Sequence, residues 1–196
     1  MFDTISFSAS DTLYFIGDAA DRGPSGVAIW LDTMKRDNVV FIRGNHEQLC
    51  LDAIGSGEID ESALKLWFMN AGRATYEAMQ SLSKSEYEQV LSFLMQTPLS
   101  LRVSVGKEKY YLVHGFPAWN DFEKLWKRPT ARSKYISIGS TAVIGHTPTC
   151  FLSGSNEPMR IWHGHNFIDI DCGCGQNEQN SCLACLRLED MQEWYI

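Results

Sequence analysis

Residues 38–47 read NVVFIRGNHE, and residues 12–23 read TLYFIGDAADRG. Each is a short apolar run that reaches a glycine and then a cluster of polar side chains. Runs of this kind, bounded by glycine, predict buried strands. The glycine lets the chain turn sharply and sets the next side chain at the strand tip. Between them, PSGVAIWLDTMKR at 24–36 begins with proline and repeats Val27, Trp30, Leu31 and Met34 at helical spacing, so it predicts a helix.

Further along the chain, NHEQLCLDAI at 45–54 turns helical and stops at GSG. Residues 60–95 read as all-helical, with breaks near Gly72 and Ser83, and Ser83 with Glu86 forms a capping box. From Leu99 the pattern changes to strands: LSLRVSV, KYYLVHG, TAVIGH, MRIW, NFIDID, CLACLRL and EWYI. There is no internal repeat and no low-complexity linker. Strand–helix units followed by a run of strands predict an α/β chain, two packed sheets flanked by helices, in one domain over residues 1–196.

The composition is that of an ordinary globular protein, 44% hydrophobic and 21% charged. A net charge of -7 disfavours nonspecific attraction to nucleic acid. No run approaches the ~20 apolar residues that span a bilayer, and MFDTISFSAS lacks the basic and apolar regions of a signal peptide. A cytoplasmic protein with no nucleic-acid or membrane partner is expected. The 6 cysteines are then expected as reduced thiols. Cys172, Cys174, Cys182 and Cys185 have a spacing that could hold zinc. Residues 182 and 185 of one strand point to opposite faces, however, so buried free thiols are the expectation.

Four polar clusters stand at strand ends: Gly17-Asp18-Ala19-Ala20-Asp21-Arg22-Gly23, Gly44-Asn45-His46-Glu47, His114-Gly115 and Gly145-His146-Thr147. Ligand sites gather beyond the carboxyl ends of strands. Asp18, Asn45, His114 and His146 make a mixed oxygen and nitrogen donor set, which suits Mn²⁺, Fe or Zn²⁺ better than Ca²⁺. His46, next to a ligand, is placed to act as an acid, and Asp21 to orient it. Arg22 offers a planar fork that matches phosphate oxygens. Singly, GNHE reads equally as a helix start with Asn45 as N-cap, and DRG as a turn. Together and in this order they describe equipment for hydrolysing a phosphate ester.

These motifs resemble the calcineurin-like metallophosphoesterases, and within them the phosphoprotein phosphatase branch of bacterial serine/threonine protein phosphatases. GDxxDRG, GNHE, HG and GHT match in order and rough spacing, and DIDCGC…LACLRLED is similar to the family's closing strands. The resemblance implies a metallo-dependent phosphatase fold holding a pair of divalent metal ions, with Mn²⁺ first and Fe or Zn²⁺ as alternatives. It implies that Asp18 bridges both metals and that Asn45, His114 and His146 complete the second site. His46, paired with Asp21, would protonate the leaving group, and a metal-activated hydroxide would attack phosphorus. Arg22 would hold the phosphate. LWKR at 125–128 resembles a family stretch that supplies a second phosphate arginine, so Arg128 is the candidate, with Arg43 and Arg132 as competitors.

One departure stands out. The family opens with a strand ending in D-x-H-G, and this chain contains no D-x-H. The first metal site is left with Asp18 alone, so an N-terminally truncated reading is expected, with about 20–25 further residues encoded upstream in frame. His163, His165, Asp169 and Asp171 are conceivable substitutes, but a loop histidine pair before an alternating strand is not assigned as a ligand set. The expected activity is a metal-dependent phosphoric monoester hydrolase, most nearly a serine/threonine protein phosphatase. Two alternatives stand beside it. One is diadenosine tetraphosphate hydrolysis on the same site. The other is a catalytically impaired phospho-binding protein. WFMNAGRAT at 67–75 resembles a W-x-x-N-G-G-x-x-T stretch common to these relatives, with Ala71 in place of glycine, and does not separate the substrates.

Overall fold

The computed structural model describes residues 1–137, 139–154, 159–176 and 179–196. It divides into two compact units, Thr12–Pro98 and Met1–Asp11 with Leu99–Ile196.

In the first unit, β1 (Leu13–Phe15) and β2 (Val39–Phe41) pair in parallel, Leu13 opposite Val39, with α1 (Gly26–Thr33) between them in sequence. Phe15 stacks on Phe41, and Phe93 meets Phe41 edge-on. α2 (Asn45–Ile54) begins where the apolar run ends. The N-cap is Gly44 and not Asn45, and Glu47 reaches back to accept the Gly44 N–H at 2.9 Å. Asn45 is thereby released from a capping role. α3 (Glu61–Met69) is capped by Asp60, which accepts from Ser62 and Ala63. α4 (Arg73–Gln80) and α5 (Lys84–Gln96) follow, the latter opened by the expected Ser83–Glu86 capping box. Trp30, Trp67, Leu49, Ile54, Met79, Val90 and Leu94 are buried. Full burial of a large apolar side chain contributes about 1.5–3 kcal/mol.

In the second unit, β3 (Ser100–Val105) and β4 (Glu108–Val113) form an antiparallel hairpin. β4 then pairs in parallel with β5 (Thr141–Ile144), β5 with β7 (Phe167–Asp169), and β7 antiparallel with β6 (Trp162–His163). Tyr111, Val113, Ala142, Ile144 and Phe167 form one apolar face of this sheet with Leu152. Ile168, Met159, Ile161 and Cys172 pack with residues of the hairpin β8 (Ala184–Leu186) and β9 (Glu193–Tyr195). The described strands thus make sheets of two, five and two, mixed with helices, which is the expected α/β class.

Strands do not occupy all of the chain after Leu99. α6 (Asp121–Trp126) and α7 (Cys150–Ser153) interrupt them. Asn120 caps α6 by accepting the Glu123 N–H at 2.8 Å, and Leu125 is buried on it. The MRIW strand shrinks to Trp162–His163. The six cysteines are free thiols, but only Cys50 and Cys172 are buried, and Cys174 is exposed. Cys174 lies in the turn that follows β7 and its neighbour Gly173 takes φ 77°, which carries the side chain off the core. Among the described residues, no helix is long and apolar enough to cross a membrane.

Candidate active site

The first unit assembles its polar cluster from the two glycine-terminated strands. After β1, Gly17, Asp18 and Asp21 all take positive φ (74, 57 and 78°). This left-handed backbone costs a non-glycine residue about 1–2 kcal/mol, so something must hold it. The holder at Asp18 is Glu47, fully buried in the first turn of α2. Its Oε2 accepts the N–H of Asp18 at 2.8 Å and that of Gly44 at 2.9 Å. Its Oε1 accepts the N–H of Ala19 at 3.0 Å and the indole N–H of Trp30 at 3.3 Å. Asp18 completes the lock, because its Oδ1 accepts the backbone N–H of His46 at 3.1 Å. A Cβ on Gly44 would lie 2.3 Å from Asp18 Oδ1, so only glycine fits between these loops.

His46 is buried with a defined tautomer. Arg22 Nη2 lies 2.9 Å from its Nε2, and a guanidinium can only donate. Nε2 is therefore the acceptor and Nδ1 carries the hydrogen, which it donates to Asp21 Oδ2 at 2.6 Å. Asp21 in turn receives the indole N–H of Trp67 at 2.8 Å on the same oxygen. Arg22, with 38% of its side chain exposed, keeps its fork near Asp18 at 3.9 Å. Asn45, also buried, stands beside His46 at the start of α2.

Arg43 is not available for phosphate. Its guanidinium donates to Thr97 Oγ1, Gln48 Oε1 and the carbonyls of Met95 and Thr97, at 2.8–3.2 Å. It ties the end of α5 to β2.

The second unit carries two buried imidazoles. His114 follows β4 and His146 follows β5, and Gly145 N–H donates to the His114 carbonyl at 2.8 Å. The rings lie 5.1 Å apart, with ligating nitrogens within 4.8 Å of one another. His146 takes φ 68°, and Trp126 of α6 meets its ring edge-on at 6.0 Å. Arg128 and Arg132 are exposed beyond α6. Asp169 is fully buried at the end of β7, and its Oδ2 has no hydrogen-bond partner among the described residues. Burial, and then the neighbouring charge of Asp171, hold its carboxyl well above the usual carboxylate range. His163 is engaged elsewhere, with Nε2 2.7 Å from Glu193 Oε1, and His165 is exposed. Asp171 Oδ1 accepts the Gly173 N–H in a local turn. None of these four makes a ligand set.

Within the second unit, the two buried imidazoles are donors that suit a borderline divalent metal. The motif reading quoted Glu47, Trp67 and Thr75 but gave them no part in holding the loops. Only the position of Glu47 at the third residue of a helix signalled its role.

The calcineurin-like phosphoesterase family model matches residues 1–172, across both units. The serine/threonine-protein phosphatase 1 of Salmonella typhimurium is 29% identical over 149 residues, 70% of this chain; the chain spans 66% of that protein's length. A metallophosphoesterase from Sphaerobacter thermophilus superposes with a TM-score of 0.51 at 19% identity, over 87% of this chain and 69% of that one. A hypothetical protein from Pyrococcus horikoshii gives 0.55 at 13%, over 95% and 74%. The two solved structures speak for the fold. With the family match running through GDxxDRG, GNHE, HG and GHT, the chain belongs to the calcineurin-like phosphoesterases.

Proposed function

We propose that this chain hydrolyses phosphoric monoesters, with a phosphorylated serine or threonine side chain as substrate, and that its two units act as one phosphoesterase domain. The observation that carries the reading is the buried Asp21–His46 pair with Arg22 at its open end. That is a proton carrier and a phosphate fork side by side.

Asp18, Asn45, His114 and His146 are the proposed metal ligands, with Mn²⁺ as the preferred ion. Divalent metal, when bound, supplies an activated water and neutralises charge developing on the phosphoryl group. The chain's own groups do the rest. Arg22 leaves His46 Nε2 and takes two phosphate oxygens, and Arg128 is the proposed second phosphate contact. Nε2, once freed, takes a proton from solvent water and passes it to the departing serine or threonine oxygen, which returns the ring to its neutral form. Asp21 holds the ring and stabilises the imidazolium before transfer.

Turnover of a phosphoserine peptide compared with that of diadenosine tetraphosphate tests the substrate. Faster hydrolysis of the peptide supports the proposal, and preference for the dinucleotide replaces it with the alternative. A metal count on the purified chain separates an enzyme from a phospho-binding protein.

A further inference from the structure

The stretch WFMNAGRAT has no part in the chemistry described so far, yet two of its side chains grip the residue behind the candidate acid. Asp21 Oδ2 is shared between His46 Nδ1, at 2.6 Å, and Trp67 Nε1, at 2.8 Å. The Asp21 N–H donates to Thr75 Oγ1 at 3.0 Å. All four residues are at least nine-tenths buried. The other carboxyl oxygen, Oδ1, has no hydrogen-bond partner among the described residues. Beyond the imidazole itself, the indole N–H is therefore what defines the carboxyl's rotation. Thr75 meets a separate need. Asp21 sits at φ 78°, a conformation L-residues avoid, and the threonine oxygen ties its amide in place.

The local fold makes this grip from one short segment. Trp67 lies in the last turn of α3 and Thr75 in the first turn of α4. Between them Ala71 takes φ 69°, which turns the chain back on itself. Gly72 lies directly against the indole, where a Cβ would come within 2.2 Å of Trp67. Tyr76 meets the same ring edge-on at 6.2 Å. The tryptophan is therefore boxed in with its N–H aimed at one carboxyl oxygen.

We infer that Trp67 and Thr75 are positioning residues for proton transfer, acting on His46 through Asp21. The inference rests on His46 being the acid of the proposed reaction. A boxed indole that donates to the oxygen holding Nδ1 sets where Nε2 points. It keeps the imidazole aimed after Arg22 has left Nε2 for phosphate. Neither residue touches substrate in this scheme.

The test uses the full chain and two independent readouts. The first is the exchange of the His46 Nδ1 hydrogen with water, followed by NMR without metal, with His46→Asn identifying the resonance. Trp67→Phe and Thr75→Val are expected to accelerate that exchange several-fold. Met79→Ala, buried one turn along α4 from Thr75 and unable to hydrogen-bond Asp21, is expected to leave it unchanged. Unchanged exchange in both variants, or equal acceleration in Met79→Ala, overturns the inference. The second readout is turnover with Mn²⁺. Trp67→Phe should lower kcat roughly tenfold for phenyl phosphate, a poor leaving group, and leave p-nitrophenyl phosphate and KM nearly unchanged. Equal loss on both substrates in Trp67→Phe, with His46→Asn still discriminating between them, assigns Trp67 to core packing alone. If His46→Asn itself fails to discriminate, the acid reading falls, while the exchange measurement still decides whether the grip on Asp21 exists.

Discussion

Glu47 accepts the backbone N–H of Asp18 at 2.8 Å, across 29 positions of sequence, and so binds the loop after one strand to the helix after the next. Gly44 lies in the gap between them. A Cβ there would approach Asp18 Oδ1 at 2.3 Å, Asp18 N at 2.5 Å and Glu47 Oε2 at 2.8 Å. Two of these atoms belong to backbone or to a fully bonded carboxyl and cannot step aside. Gly44→Ala is therefore expected to cost about 1–3 kcal/mol of stability by overpacking. It should also weaken Mn²⁺ binding by displacing Asp18. Thermal melts with and without Mn²⁺ check both effects, and a wild-type metal response would show that Asp18 tolerates the shift.

His46→Asn is expected to lower kcat by about 10²–10⁴ with little change in KM, the pattern of a lost proton donor. The loss should shrink for p-nitrophenyl phosphate, whose leaving group needs no proton. An equal loss on good and poor leaving groups would give His46 another role.

Chelation should abolish hydrolysis, and Mn²⁺ should restore it best, because the proposed ligands mix carboxylate, amide and imidazole donors. Assay after prolonged incubation with excess EDTA decides this. Undiminished activity there would exclude the proposed mechanism.

Ala71 occupies a left-handed turn at φ 69°, a conformation that glycine adopts without strain. Relief of the backbone strain by glycine is worth about 1–2 kcal/mol, less about 0.5–1 for the freer unfolded chain. Ala71→Gly is expected to raise Tm by about 1–4 °C, measured by calorimetry. A lower Tm would mean that the Ala71 methyl makes packing worth more than the strain.

Asp169 gives a dependence on pH. Its folded carboxyl is held well above the usual range, by burial first and the Asp171 charge second. In the unfolded chain it titrates near ~3.9. The folded state therefore binds the proton more tightly, and the stability this site confers is complete below about pH 4 and is lost as pH rises toward the folded value. Asp169→Asn removes the titration. The Tm of this variant minus that of the parent protein should grow in the variant's favour from acid to neutral pH. A difference that stays constant with pH would show that the carboxyl remains matched by its surroundings.

The parts of the fold that were legible are those decided locally. α2 runs over Asn45–Ile54, the limits its sequence predicts, because Glu47 can cap its start and Gly-Ser-Gly stops it. The Ser83–Glu86 box likewise fixes the start of α5. α6 was missed because its six residues lie among strands, although Asn120 and the spacing of Phe122, Leu125 and Trp126 carry a helix signal. The candidate side chains were legible as candidates because Asp18, Asn45 and His146 each follow a strand and a glycine, and His114 follows a strand directly. Their supports were not, because those contacts close over long separations: 46 positions from Asp21 to Trp67 and 54 from Asp21 to Thr75. No periodicity encodes such pairs. The fate of Arg43 was equally hidden, since its partners Met95 and Thr97 lie 52 and 54 positions away.

Asp18, Asp21 and His146 all hold positive φ. Each carries a side chain proposed for the chemistry, on a backbone that glycine would adopt without penalty. Heat resistance and turnover therefore pull these positions in opposite directions. A library selected only for survival at high temperature should drift toward glycine here and yield robust, inert proteins. Enzyme engineers working on this scaffold would need to screen for hydrolysis at every round, and to seek their added stability elsewhere, at sites such as Ala71.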